Sequence, residues 1–436
     1  MTAPPERLAV GNLVSPYGLA LFSSAIFLAA WITPPSAFME FLGEPDVIYF
    51  NPLVLCFYGC CVLCFLAGAW AYQRFRRPEI VEERIDRSVP SATFLIVPLS
   101  VSTLLCAASV VVLSGKVSNL MSLLVSQQGA LIKLANVSGQ AEEGSWGYAL
   151  TFHTGVLWWA YARARQSNLS GSIGWAFKIF FAVATVIGLL TALIKVDRTN
   201  LIPILSGLAI IYLYFRLSQK TASLRRVLML SGGLVLLFMI TFAGVSYIRG
   251  AGDARLLSIG IFGYTAASYN RLAAEVTGLL HYSFGGKGIY LSTFLSFNNT
   301  INRIIPFNEL MGGATQRGVY FSEFSSIAAG GLNPGFNWPG AFGYIYADLG
   351  WWTPLYLFPI GLFNGYLWRS FRKETLIGIV FYPWAAFSIL FWFGWNVLFD
   401  LRFALLGVVV VALSAYEYCF PGTYAYRPAP ILRAST

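Results

Sequence analysis

The sequence predicts an all-α polytopic membrane protein of about ten transmembrane helices with one large outer loop. Three observations lead there. Of 436 residues, 57% are hydrophobic and 11% charged, whereas a soluble domain carries about 25% charged residues. Mean hydropathy is +0.65. Several stretches of about 20 residues, the length that crosses a bilayer core, are almost free of charge.

The spans are expected near 17–33, 52–72, 92–113, 147–162, 175–194, 201–215, 227–247, 352–368, 376–396 and 402–418. The first is read as a retained anchor, because "WITPPSAF" lacks a small-residue cleavage site. Three blocks result: 1–247 with spans one to seven, 248–351 as the large loop, and 352–436 with spans eight to ten and a tail. The loop is expected to hold short helices, re-entrant where they meet the bundle, since irregular backbone at membrane depth must line a cavity or be buried in protein.

Charge sets the orientation. Five Arg lie between Arg74 and Arg87. Arg163 and Arg165, then Arg216, Lys220, Arg225 and Arg226, then Arg369, Arg372 and Lys373 fall on the same face. Basic loops mark the cytoplasmic side, so both termini are expected there. The opposite turn carries Glu40, Glu44 and Asp46. The net charge of +10 is thereby a matter of topology, with no nucleic-acid partner expected.

Cofactor signals are weak. Cys56, Cys60, Cys61 and Cys64 cluster within an apolar helix, and small packing residues explain them. Neither His153 nor His281 has a second His at ligand spacing, and no metal or cofactor is expected. No phosphate-binding glycine loop follows a strand.

Two outer segments stand out. Near 114–146, Leu120, Leu123, Leu124 and Leu131 fit a short amphipathic helix on the membrane. In the large loop, "RLAAEVTGLLHY" puts Leu272, Val276, Leu279 and Leu280 on one helical face. It ends in "GGLNPGFNWPGAFGYIYADLGWW", too rich in Gly, Pro and Asn for a lipid-facing span.

The outer face is unusually basic. "KVDRTN" places Arg198 at the start of the sixth span, where free N–H groups also favour an anion. A pairing with Asp197 or Asp400 is the competing reading. Arg249 ends the seventh span in "YIRGAGDAR", where an interfacial anchor competes. Arg is suited to bidentate phosphate contacts. A phosphate-bearing lipid fits this face, with Tyr344, Tyr346, Trp338 and Trp351 available to stack on sugars or to form an interfacial belt.

"KVDRTNLIPILSGLAIIYLYFR", "GYTAASYNRLAAEVTG" and "NPGFNWPGAFGYIYADLGWWTPLYLFPIGLFNGYLWR" together resemble bacterial oligosaccharide repeat-unit polymerases of the Wzy type. The resemblance covers about Lys195 to Arg369, including Asp348, Leu349 and Gly350 followed by Gly361 and Gly365. It implies a membrane-embedded glycosyltransferase of the inner membrane. The substrate would be an undecaprenyl-pyrophosphate-linked oligosaccharide presented at the periplasmic leaflet, as in O-antigen synthesis, with a chain-length regulator as a further partner. No metal is implied. Fixed cations would then meet the pyrophosphate, and Arg198, Arg249, Arg271, Arg303 and Arg317 are nominated for that task. The acceptor hydroxyl needs a base, for which Glu323, Asp348 and His281 are candidates. Each also has a plain reading: loop carboxylate, helix cap or ion pair, and packed histidine. An O-antigen ligase or other lipid-linked sugar transferase, and a transporter, remain the alternatives.

Overall fold

The computed structural model describes residues 13–75, 89–116, 120–126, 128, 148–167, 169, 171–196, 198–217, 254–291, 302, 304–313, 315–394, 397–398, 400–420 and 424–425, with scattered positions between 229 and 248. Helices dominate. In chain order they are α1 (Pro16–Trp31), α2 (Pro35–Leu42), α3 (Pro52–Phe75), α4 (Ala92–Lys116), α5 (Leu120–Val125), α6 (Ala149–Ser167), α7 (Gly171–Ile194), α8 (Arg198–Leu217) and α9 (Ala254–Val276). Then come α10 (Phe307–Leu310), α11 (Gln316–Ala329), α12 (Gly340–Leu349), a 3-10 turn at Gly350–Trp352, α13 (Thr353–Arg372), α14 (Leu376–Leu390) and α15 (Leu401–Cys419). Two short strands, β1 (Val89–Pro90) and β2 (Tyr424–Ala425), pair antiparallel and tie the start of α4 to the tail.

Local chemistry sets the helix ends. Ser15, Thr315 and Thr375 accept hydrogen bonds from the free N–H groups of Gly18, Gly318 and Gly378, the ordinary satisfaction of a helix start. Asp400 does the same for Arg402 at α15. The Pro34–Pro35 pair breaks the first apolar run, and α1 and α2 bend by 91° because proline offers no N–H to continue the ladder.

Among the described residues, four helices are long and apolar enough to cross a membrane, or five if the α1–α2 pair counts as one span. They are α3, α4, the Gly174–Ile194 part of α7, and α15. Leu63, Leu104 and Val111 are exposed on them, as a lipid-facing surface requires. α8 and α14 contain shorter apolar stretches of membrane character. Helices also occupy the expected spans 147–162 and 352–368, while 227–247 lies largely outside the described residues. The expected outer segment 114–146 is described at α5, where Leu123 and Leu124 pack against the core; Leu131 lies outside the described residues.

Closest packing joins α3 and α13. A Cβ on Gly361 would overlap the Phe65 carbonyl oxygen, and one on Gly68 would overlap that of Phe358. Gly365 lies against Ala69 and Tyr72. The contacts advance together along both helices, so the two run parallel. Small residues four apart let backbones touch, which drives association in lipid, where no hydrophobic force separates helix from solvent.

The large outer segment differs from a set of short helices laid over the bundle. α9 is 23 residues long and packs against α1, α2, α3 and α12. Tyr269 is 1% exposed and meets Phe27 and Tyr58 edge-on. The expected apolar face of "RLAAEVTGLLHY" is corrected at one position. The helix stops at Val276, Gly278 takes φ 78°, and Leu279 turns outward while Leu272, Val276 and Leu280 stay buried. Glycine at that left-handed position ends the helix cheaply.

Gly361→Ala is expected to lower the melting temperature in detergent, at a cost of about 1–3 kcal/mol for overpacking a close contact. Gly59→Ala, where an added Cβ meets nothing within 4 Å, should leave it unchanged. Equal melting temperatures for both variants would remove the role given to the α3–α13 contact.

Candidate functional site

The site lies at the end of the bundle where α3 and α13 begin. Its frame is a buried ion pair. Arg271 on α9 and Glu44 in the turn after α2 are both fully buried, with Arg271 Nη1 and Nη2 on Glu44 Oε1 and Oε2 at 3.1 and 2.8 Å. Arg271 also donates to the carbonyls of Ala267 and Asn333 at 2.7 and 2.6 Å. Asn270 Nδ2 donates to Glu44 Oε1 and the Pro45 carbonyl, and its Oδ1 accepts from Val47 N–H. Asn333 N–H donates to Glu44 Oε2, and Asn333 Nδ2 to the Leu42 carbonyl. A buried pair of charges is tolerated when most of its remaining donors and acceptors are met; here Arg271 Nε is the one guanidinium nitrogen buried without a partner. Here the pair stitches three distant segments together.

Beyond this clamp, α12 enters the bundle as a short buried wedge. Gly340, at φ 74°, turns the chain, and Ala341 N–H donates to the Trp392 carbonyl at 2.8 Å. Phe342 packs on Tyr58 and Trp392. The Gly- and Pro-rich run before it is the irregular approach to that wedge, anchored at the buried Leu332 and Pro339 and exposed at Gly331, Pro334 and Gly335.

The wedge carries Asp348, whose carboxylate accepts N–H bonds from Gly288, Tyr290 and Leu291 at 3.0, 2.7 and 3.1 Å. Gly286 N–H donates to the Ala347 carbonyl at 2.9 Å. Asp348 therefore pins the loop following α9 onto α12. Burial raises its pKa and the backbone donors oppose that rise. The close fit needs glycine: a Cβ on Gly285 would stand 2.7 Å from the Ala347 carbonyl oxygen.

Between α9, this loop and α12 opens a cavity of about 520 Å³, within the range of small-molecule sites. Glu275, His281, Tyr282 and Tyr346 are among its lining residues. Glu275 is 5% exposed, and its Oε2 is buried with no hydrogen-bond partner. The hydroxyls of Tyr282 and Tyr290 are likewise buried without a partner. Burial, then the carboxyls of Glu323 and Asp348, hold the Glu275 pKa well above the carboxylate range. Glu323, on α11, accepts from Asn337 Nδ2 at 3.1 Å and from the Tyr344 hydroxyl at 3.4 Å. Burial still pushes its carboxyl up to about 8, against those two donors. Tyr282, Tyr290 and Tyr344 pack ring on ring beside these acids, and burial raises all three phenols.

The structure thus gathers His281, Glu323, Asp348 and Tyr344 around one region. His281 is exposed on the cavity lining. Trp338 stands apart, its ring on Tyr264 and Phe391. Arg271 is close by but committed to Glu44. Arg198 and Arg317 lie on α8 and α11, with their side chains outside the described residues, as Arg249 and Arg303 are altogether. At the turn before α8, Val196 takes φ 51° and Lys195 is buried.

Sequence reasoning missed Glu275 as a site residue. One signal was available: Arg271 and Glu275 stand four apart on a helix, a spacing that suggests they pair with each other. Arg271 instead serves Glu44, 227 residues away in sequence, and Glu275 is left to the cavity.

Compared with known proteins, the chain matches no family model, no curated protein and no solved structure.

Two outcomes follow from this geometry. Glu44→Ala removes one partner of a desolvated pair and should destabilise the protein by about 3–5 kcal/mol, read as a loss of folded protein on gel filtration or a lower melting temperature. A wild-type melting profile would show that the pair is dispensable. The second outcome concerns pH. Glu323 has a folded pKa near 8 against an ordinary 4.5. Between those values the folded chain keeps a proton that the unfolded chain has lost. Its contribution to stability is full below the lower value and is lost as pH rises through the higher one. Glu275 acts with the same sign. Melting temperature should fall as pH rises from about 5 to about 8, and Glu323→Gln should flatten the fall. An identical slope in the variant would show that Glu323 is not held protonated.

Proposed function

We propose that this chain is a membrane-embedded glycosyltransferase that polymerises undecaprenyl-pyrophosphate-linked oligosaccharide repeat units at the periplasmic face of the bacterial inner membrane. The growing glycan moves from its lipid carrier onto a new lipid-linked unit, and lipid pyrophosphate leaves. The observation that carries this reading is the cavity of about 520 Å³ with buried, unpartnered Glu275 and Tyr282 side chains on its wall, set at one end of apolar helices. Such a place offers hydrogen-bonding groups to a sugar while a lipid tail stays among the helices.

The resemblance of "KVDRTN" and "NPGFNWPGAFGYIYADLGWW" to repeat-unit polymerases supports the same reading. Arg198, Arg249, Arg303 and Arg317 are proposed to meet the pyrophosphate, where fixed cations would stabilise the departing charge. Arg271 would then act through the clamp with Glu44. Both termini would face the cytoplasm in this reading, and a chain-length regulator would be the natural partner.

The test is a product ladder. Purified protein in nanodiscs, given a lipid-pyrophosphate-linked repeat unit with EDTA present, is expected to yield bands spaced by one repeat. Arg198→Ala and Arg249→Ala should each lower the rate by about 10²-fold or more, the scale of losing a transition-state donor. A single unchanged band from folded protein would sink the polymerase reading and favour a ligase lacking its acceptor, or a transporter. Full activity in both Arg variants would remove the assigned phosphate site.

A further inference from the structure

We infer that Glu275 is the general base of the outer cavity, taking the proton from the acceptor sugar hydroxyl. The inference rests on the polymerase reading and names the group that reading leaves unassigned. Three acids cluster here, and their surroundings separate them. Asp348 has both oxygens engaged, Oδ1 by Gly288 N–H and Oδ2 by the N–H groups of Tyr290 and Leu291. It is a brace for the loop. Glu323 is held by Asn337 and Tyr344 and is not part of the cavity lining. Glu275 lies on the lining and is 5% exposed. Its Oε2 is turned into the protein against Gly343, so the carboxylate meets the cavity through Oε1, which no donor among the described residues occupies. Tyr282 stands on the same wall.

The step balances without a further reactant. A lone pair on the acceptor hydroxyl oxygen forms the new bond to the anomeric carbon of the donor glycan. The bond from that carbon to the phosphate oxygen breaks, and its electron pair leaves on the lipid pyrophosphate. The hydroxyl proton passes to the Glu275 carboxylate. Neighbours tune the base. Glu323 and Asp348 face it as acids, Tyr282, Tyr290, Tyr344 and Tyr346 as phenols, and His281 shares the cavity wall. Burial and the two acids raise its proton affinity, which strengthens a base working near neutral pH.

The full-length protein in nanodiscs is assayed by the ladder against pH. The wild-type rate should climb with pH along a limb above the ordinary carboxyl range. Glu275→Gln should lower kcat by about 10²–10⁴-fold with KM within a few-fold. Glu275→Ala should regain part of its rate on adding formate, which a purely structural role would not produce. Should the Glu275 variants fail to fold, Glu323→Gln decides. Glu323 takes on its charge only as pH passes about 8 and that charge raises Glu275, so the neutral variant should move the upper part of the limb to lower pH. An unmoved limb, or an inactive but folded Glu323→Gln, overturns the assignment in favour of another base. So does a wild-type rate in Glu275→Gln, or a folded Glu275→Ala that formate leaves dead. A ladder in the wild type with any of these results overturns the Glu275 assignment alone. No ladder in the wild type overturns the polymerase reading and the assignment with it.

Discussion

The buried pair of Glu44 and Arg271 is the constraint on which the outer end of the molecule depends. Neither side chain touches solvent. Two charges in so dry a place attract strongly, but each has also lost its hydration, so the arrangement holds only while every neighbouring dipole is in place. Asn270 and Asn333 support it and, in doing so, fix the turn after α2, the middle of α9 and the approach to α12 relative to one another. The cavity walls are built from the last turn of α9 and the end of α12. Their spacing is therefore inherited from a hydrogen-bond network that never meets the cavity.

That separation of duties explains why carboxylates so close in space differ so much. Glu44 faces a guanidinium and accepts from Arg271, Asn270 and Asn333. Asp348 is surrounded by backbone N–H groups. Glu275 and Glu323 are raised chiefly by burial, and Glu323 with Asp348 raises Glu275 further. Position in the network, more than residue type, decides which acid braces the fold and which remains available for chemistry.

Much of the helical plan was legible in the sequence. Apolar runs located α3, α4, α7 and α15, since lipid demands long charge-free segments and little else produces them. The break at Pro34–Pro35 and the caps at Ser15 and Asp400 are local features that a reading of apolar runs passes over. The run from Gly330 to Trp352 announced itself as something other than a lipid-facing span, and its second half is the buried helix α12. Partner choice was less legible. Arg271 looked like a free cation on the outer face because its partner, Glu44, is supplied by a turn 227 residues earlier. Asp348 stood out through its neighbours Leu349 and Gly350, while its bonds run to backbone N–H groups that carry no side-chain signature. Glu275 hid among alanines on a helix that reads as ordinary.

The glycine contact between α3 and α13 bears on how the molecule is made. Gly68 leaves the ribosome well before Gly361, so α3 enters the bilayer with its flattest face turned to lipid and no helix to receive it. Its partner arrives only after α12 has been synthesised. Because α13 follows α12 with a single 3-10 turn between them, seating α13 on α3 also carries the wedge to its depth. The outer cavity is thus closed by one of the last events of biosynthesis, and a chain released before residue 353 would hold its early helices with no assembled site.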